Sequence, residues 1–124
     1  MNDDLVAQLD RAVVAHAMWK VRLLDAADRR GGKIDRRTAS DCHACAFGKW
    51  LDTNRTDLGL HGEYGEIYAL HERFHLEVGN VLERIDFGRR DAARSGLDEG
   101  GDLRVASSRL VLRILRWRDR LCAG

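Results

Sequence analysis

Between residues 5 and 26 the inward-type positions recur at alternating steps of four and three: Leu5, Leu9, Ala12, His16, Trp19, Leu23 and Ala26. That spacing draws one seam down a helix and does not fit a strand, whose side chains alternate with period two. No proline interrupts it, and none occurs anywhere in the chain. Abundant Ala, Leu, Arg, Asp and Glu point the same way. The pattern predicts a long helix from Asp4 to Arg30, capped by Asn2 or Asp3 and ended by Gly31-Gly32.

Two more seams follow. Tyr64, Ile67, His71, Phe74 or His75, Val78, Leu82 and Ile85 predict a second long helix from about Glu63 to Asp86, broken at Phe87-Gly88. Leu103, Ser107, Leu110, Ile114, Trp117 and Leu121 predict a last helix from Asp102 to Leu121. Between them, Lys33 to Ser40 reads as a polar connection, Asp41 to Asp52 as a short element and Thr53 to Gly62 as a loop. Arg89 to Gly96 reads as a short helical piece, with Gly100-Gly101 as punctuation. The expected fold is all-α: an antiparallel four-helix-type bundle, closed by a short helix carrying a cysteine. A chain of 124 residues makes one domain, residues 1–124.

Composition excludes several roles. The formal net charge is +1, so no global field draws the chain to nucleic acid. No stretch approaches the roughly 20 apolar residues of a membrane span. Asp3, Asp4 and Asp10 stand where a secretory leader would be basic and then apolar. A cytoplasmic protein without membrane insertion is expected. Arg104, Arg109, Arg113, Arg116, Arg118 and Arg120 crowd the last helix, but no aromatic residue interleaves on that face. They read as a solvated face with Asp and Glu partners elsewhere; DNA binding with a steep salt dependence would overturn this.

The chemistry lies in the histidines and cysteines. His71 and His75 are four apart on a predicted helix, so both rings leave one face and can share a tetrahedral ion. His71 sits on the apolar stripe with His75 beside it, and His16 lies mid-seam on the first helix. Three imidazoles on inward faces need partners, because an unpaired buried polar group costs roughly 1–3 kcal/mol. They can bond to one another or share a cation. A nearby thiolate favours the cation, and Cys45 is one candidate, with Phe47, Trp50 and Leu51 as an apolar anchor and Gly48 allowing close approach. His43 and His61 lie in polar surroundings and read as solvent-facing.

Three cysteines form a poor disulfide framework. Cys42 and Cys45 make a CxxC, but it lacks the βαβ context of a thioredoxin-like motif and the second CxxC of a four-cysteine zinc site. Cys42 is then either a spectator or a resolving thiol for Cys45.

The order His16-x-x-Trp19, Cys45-x-Phe47-Gly48-x-Trp50-Leu51 and His71-x-x-x-His75 resembles the chemoreceptor zinc-binding domain family. The resemblance implies a helical bundle that holds Zn²⁺ through three histidines and one cysteine, here His16, Cys45, His71 and His75. It also implies homodimers, and fusion to chemoreceptors or diguanylate cyclases whose output the domain regulates. The implied signals are zinc itself and hypochlorous acid or related oxidants acting at the zinc-bound cysteine, Cys45. No output domain follows in these 124 residues, so the expectation is a stand-alone member acting on a signalling partner in trans, or a domain of a longer chain.

Four protein ligands would leave no open position for water, which argues against an enzyme. His71-Glu72-x-x-His75 does match the HExxH pattern of zinc hydrolases, but that chemistry needs a third ligand and an open site. A di-iron bundle would need a second Glu-x-x-His besides Glu72-x-x-His75, and none occurs. A structural zinc-stabilised interaction module remains the alternative to a sensor. A zinc-bound thiol is held as thiolate and stays open to strong oxidants, and oxidation to the sulfenic acid would weaken its hold on the metal.

Overall fold

The first seam becomes a 26-residue helix, α1 (Asn2–Ala27), with Asp3 and Asp4 in its first turn, where carboxylates favour the positive end of the helix dipole. A computed structural model describes residues 2–28 and 33–123. The Gly31-Gly32 stop expected for α1 lies outside those residues. Six helices follow: α2 (Arg36–Ala39), α3 (Ala46–Thr53), α4 (Arg55–Leu58), α5 (Tyr64–Asp86), α6 (Arg90–Leu97) and α7 (Asp102–Ala123). All regular structure among the described residues is helical, as the seams require.

The second long helix, α5, ends where expected. Gly88 adopts φ +76°, a left-handed conformation that glycine enters without a Cβ penalty, and the Arg89 N–H reaches back to the Arg84 carbonyl at 2.7 Å. α6 sits one residue beyond the expected span, and Gly100, at φ +85°, makes the turn into α7.

Side-chain pairs fix the directions of the long helices. Arg118 near the end of α7 pairs with Asp10 of α1, while Arg120 pairs with Glu63 and Arg113 with Glu66 at the start of α5. At the other end, Ala17 and Lys20 of α1 and Phe74 of α5 line one cavity with Leu103, Arg104 and Ser107. α7 therefore runs antiparallel to both α1 and α5, whereas α1 and α5 run alike. Residues 33–63 carry the chain back to the end where α5 begins. These same pairs give Arg113, Arg118 and Arg120 carboxylate partners, as the solvated-face reading of the arginines expects.

The core is the three seams, with small shifts in register. Leu9, Ala12, Leu23, Ile67, Phe74, Val78, Leu82, Leu103, Leu110, Ile114 and Trp117 are buried. Ala27 is buried where the seam predicts Ala26, and Ala106 where it predicts Ser107. A strict seven-residue repeat drifts on a 3.6-residue helix, so the buried line slips by one position along its length. Trp117 has no exposed surface and donates its Nε1–H to His61 Nδ1 at 3.4 Å. His61 is consequently half-buried against the Trp117 ring rather than solvent-facing. Trp117→Ala removes that packing and should destabilise the fold by about 3–5 kcal/mol, read as a lower urea midpoint.

Two short elements, α2 and α4, carry no signal in the sequence. Lys33 to Ser40 is not simply a polar connection, because α2 forms one turn there, and the predicted loop Thr53 to Gly62 contains the single turn of α4. α2 packs on α5, and a Cβ at Gly79 would lie 2.7 Å from the Ser40 Cβ. Gly79 thus sets how closely the two helices approach. No helix among the described residues is long and apolar enough to cross a membrane.

Candidate metal centre

His16 projects from the middle of α1, and His71 and His75 from one face of α5. Cys45 stands at the residue before α3, with extended backbone dihedrals. Because α1 and α5 run alike and lie side by side, their inward faces bring the three imidazoles together. α3 then caps them. Phe47 is buried, with its ring edge-on to His71 at 5.1 Å and stacked on Trp50 at 5.7 Å. Leu51, fully buried, completes this anchor.

Gly48 makes the cap possible. A Cβ there would lie 1.7 Å from the Cys42 carbonyl oxygen and 3.1 Å from His71 Cε1. Only a residue without a side chain lets the turn at 42–45 fold against α3 with His71 beneath both.

The donor atoms converge. The Nε2 atoms of His16 and His75 each lie 3.1 Å from His71 Nε2. Cys45 Sγ lies 3.4 Å from His71 Nε2 and 3.7 Å from His16 Nε2, and all four donor atoms fall within 4.8 Å of one another. A tetrahedral ion with Zn–N near 2.0–2.1 Å and Zn–S near 2.3 Å needs N···N edges of about 3.3 Å and N···S edges of about 3.5 Å. The two N···N edges, both 3.1 Å, fall slightly short of that value, and the N···S edges, 3.4 and 3.7 Å, lie either side of theirs.

Hydrogen bonds on the outer nitrogens set the tautomers. His16 Nδ1–H donates to the Ala12 carbonyl at 2.7 Å, and His75 Nδ1–H donates to the Ala39 carbonyl at 2.8 Å. In the neutral rings, both Nε2 atoms then carry lone pairs aimed inward. One proton on His71 Nε2 can serve only one of its two neighbours, so the three imidazoles do not satisfy one another. A shared cation would use every inward lone pair at once, whereas without one the remaining lone pair depends on the Cys45 thiol proton, 3.7 Å away at His16 Nε2. Outer-nitrogen hydrogen bonds of this kind are also what orient ligating histidines.

The environment keeps the rings neutral. Burial pushes His16 down to about 4, partly offset by its bond to the Ala12 carbonyl, and pushes His71 down to about 2, with the His16 and His75 rings adding to the effect. His75 is lowered too, again chiefly by burial. Phe74 stands edge-on to His16 at 5.0 Å and to His75 at 5.2 Å, and so contributes apolar surface to this pocket.

The other sequence candidates fall outside the cluster. Glu72 of the HExxH pattern is exposed and supplies none of the four donor atoms. Cys42 is half-buried, and burial together with the Glu72, Asp41 and Asp52 carboxylates raises its thiol above the ordinary range. His43 is exposed as expected, and its bond to Asp52 raises it above the ordinary histidine value. Sequence reasoning missed the Ala12 and Ala39 carbonyls. A backbone acceptor carries no residue signature, although Ala12 does lie one turn before His16 on the same seam.

A family model described as the chemoreceptor zinc-binding domain matches residues 16–82, a span that runs from the first of these donors to beyond the last. No curated protein and no solved structure matched the chain.

Proposed function

Because the chain belongs to the chemoreceptor zinc-binding domain family, we propose that it is a regulatory domain in which His16, Cys45, His71 and His75 hold one Zn²⁺, and that Cys45 is the ligand through which it responds. The observation that carries this reading is the meeting of four donor atoms at tetrahedral spacing with their lone pairs aimed inward. When bound, the ion supplies a positive centre that holds the Cys45 sulfur as thiolate.

The four donors differ in access. His16, His71 and His75 are 1–2 % exposed, whereas Cys45 is half-buried. Cys45 also lines two cavities, one of about 600 Å³ with Val14, Ala15 and Phe47, and one of about 340 Å³ with Trp19, Ala39 and His75. A small oxidant therefore has a route to Cys45 Sγ. With hypochlorous acid, the thiolate gains oxygen to become the sulfenic acid, and the oxidant leaves as chloride. The anionic donor is lost, and with it the tie from the 42–45 turn to α1 and α5. The family is a regulatory zinc-binding one, and the buried, apolar-walled donor set suits that role better than hydrolysis.

We place the output in a signalling partner of chemoreceptor or diguanylate cyclase type, in trans or in a longer chain. A homodimer is part of the same proposal. Val14, Met18 and Val21, exposed at steps of four and three on α1, offer an apolar stripe for a second copy. The cytoplasm is the proposed location.

The test is a brief hypochlorous acid pulse on zinc-loaded protein, with released zinc, Cys45 oxidation and oligomeric state followed together. Zinc release in step with Cys45 oxidation, with a change of dimer, is the expected result. Zinc retained under mild oxidant and under chelator of physiological strength would instead make this a structural module.

A further inference from the structure

The turn ahead of α3 holds a second set of metal donors that the buried centre does not use. Asp41, Cys42 and His43 each present one donor atom, and these lie within 4.8 Å of one another. The turn is built rather than loose. Asp41 Oδ1 accepts the His43 backbone N–H at 2.9 Å, and the Ala44 N–H bonds the Asp41 carbonyl at 3.1 Å. His43 Nδ1–H donates to Asp52 Oδ2 at 2.7 Å, while Asp52 Oδ1 accepts the Tyr68 hydroxyl at 2.8 Å. A carboxylate behind an imidazole in this way orients a ligating histidine and raises its basicity, and it leaves Nε2 as the outward donor. The Asp41, Asp52 and Glu72 carboxylates set a negative field around the Cys42 thiol, which a dication relieves.

We propose that Asp41, Cys42 and His43 form a second, solvent-open zinc site of lower affinity, which loads the buried centre. Three protein donors leave a position for water, so the ion exchanges faster there than in a closed four-ligand site. Mixed thiolate, imidazole and carboxylate donors suit zinc. The loading role rests on the reading that His16, Cys45, His71 and His75 hold zinc. Those histidines are almost fully buried, and Cys45 is the most exposed of the four donors. Cys42 is three residues from Cys45, and its carbonyl lies over Gly48, whose missing side chain also faces His71. On binding at the open site, Cys42 gives its thiol proton to solvent. On transfer, the Cys45 thiol gives up its proton as Cys45 and the three imidazoles take the ion, and Cys42 takes a proton back, so the net change is one proton moved from Cys45 to Cys42.

Zinc-stripped full chain, held reduced with a non-thiol reductant, would be titrated with zinc against a chromophoric chelator, and the rate of loading followed by stopped flow. Wild type should take two equivalents, the second at least tenfold weaker. Cys42→Ser and His43→Ala should each remove the second, keep the first and slow loading at limiting zinc tenfold or more. Retention of the first equivalent shows that each variant is folded. A single equivalent in wild type, or a second one that survives both substitutions, overturns the open site. Loss of the second equivalent with loading unchanged overturns the transfer role. No equivalent at all in wild type would instead overturn the reading of the buried centre.

Discussion

Replacing Gly48 with alanine is expected to strip the protein of most of its zinc affinity while leaving the three long helices formed. The new Cβ would sit 1.7 Å from the Cys42 carbonyl oxygen, 2.8 Å from its carbon and 3.1 Å from His71 Cε1. The first two are backbone atoms, so no rotamer change removes the clash; the 42–45 turn has to move. Cys45 belongs to that turn, and its Sγ stands 3.4 Å from His71 Nε2. A displacement of an ångström takes the thiolate out of tetrahedral register with the imidazoles. Overpacking of this kind costs about 1–3 kcal/mol in stability, and loss of a supporting contact lowers metal affinity by about 10–100-fold. Chelator competition and far-ultraviolet circular dichroism would read the two effects apart. Wild-type affinity in Gly48→Ala would mean that the turn does not position Cys45.

Acid should unfold the zinc-free protein well before its carboxylates protonate. His16, His71 and His75 are buried as neutral rings, with His16 lowered from 6.5 to about 4. In the unfolded chain the same rings take protons near 6.5. The unfolded state therefore binds more protons below that pH, and stability falls as pH falls. The contribution is complete above 6.5 and is lost between 6.5 and about 4 for His16, where it is worth about 3 kcal/mol. The other two shifts act in the same direction. Urea midpoints should hold steady from pH 8 to 7 and then drop steeply toward pH 4.5. A flat profile over that range would show that the imidazoles reach water.

The three long helices are legible because their apolar periods run for twenty residues or more. α2 and α4 are not, since single turns of polar residues carry no period and are held by what they pack against. The site divides along the same line. His71 and His75 are paired by spacing within one helix, and His16 is placed inward by its seam. The choice of Cys45 over Cys42 rests on the Phe47-Gly48-x-Trp50 anchor and the family resemblance; in the structure, Cys45 Sγ lies 3.4 Å from His71 Nε2 and 3.7 Å from His16 Nε2, while the Cys42 thiol feels the Glu72, Asp41 and Asp52 carboxylates. The local sequence makes His61 look solvent-facing because its partners, Trp117 and Arg120, lie more than fifty residues away. Long-range partners of this kind leave no local signal. The shared direction of α1 and α5 is likewise set by the return path through residues 33–63, not by the helices themselves.

The measurement that bears most directly on the account is zinc per chain after extensive dialysis, for wild type, His16→Ala, His71→Ala and Cys42→Ser. The account predicts one tightly held zinc in wild type and in Cys42→Ser, and close to none in the two histidine variants. Zinc-free wild type after purification with metal present, or full zinc in His16→Ala and His71→Ala, would contradict it.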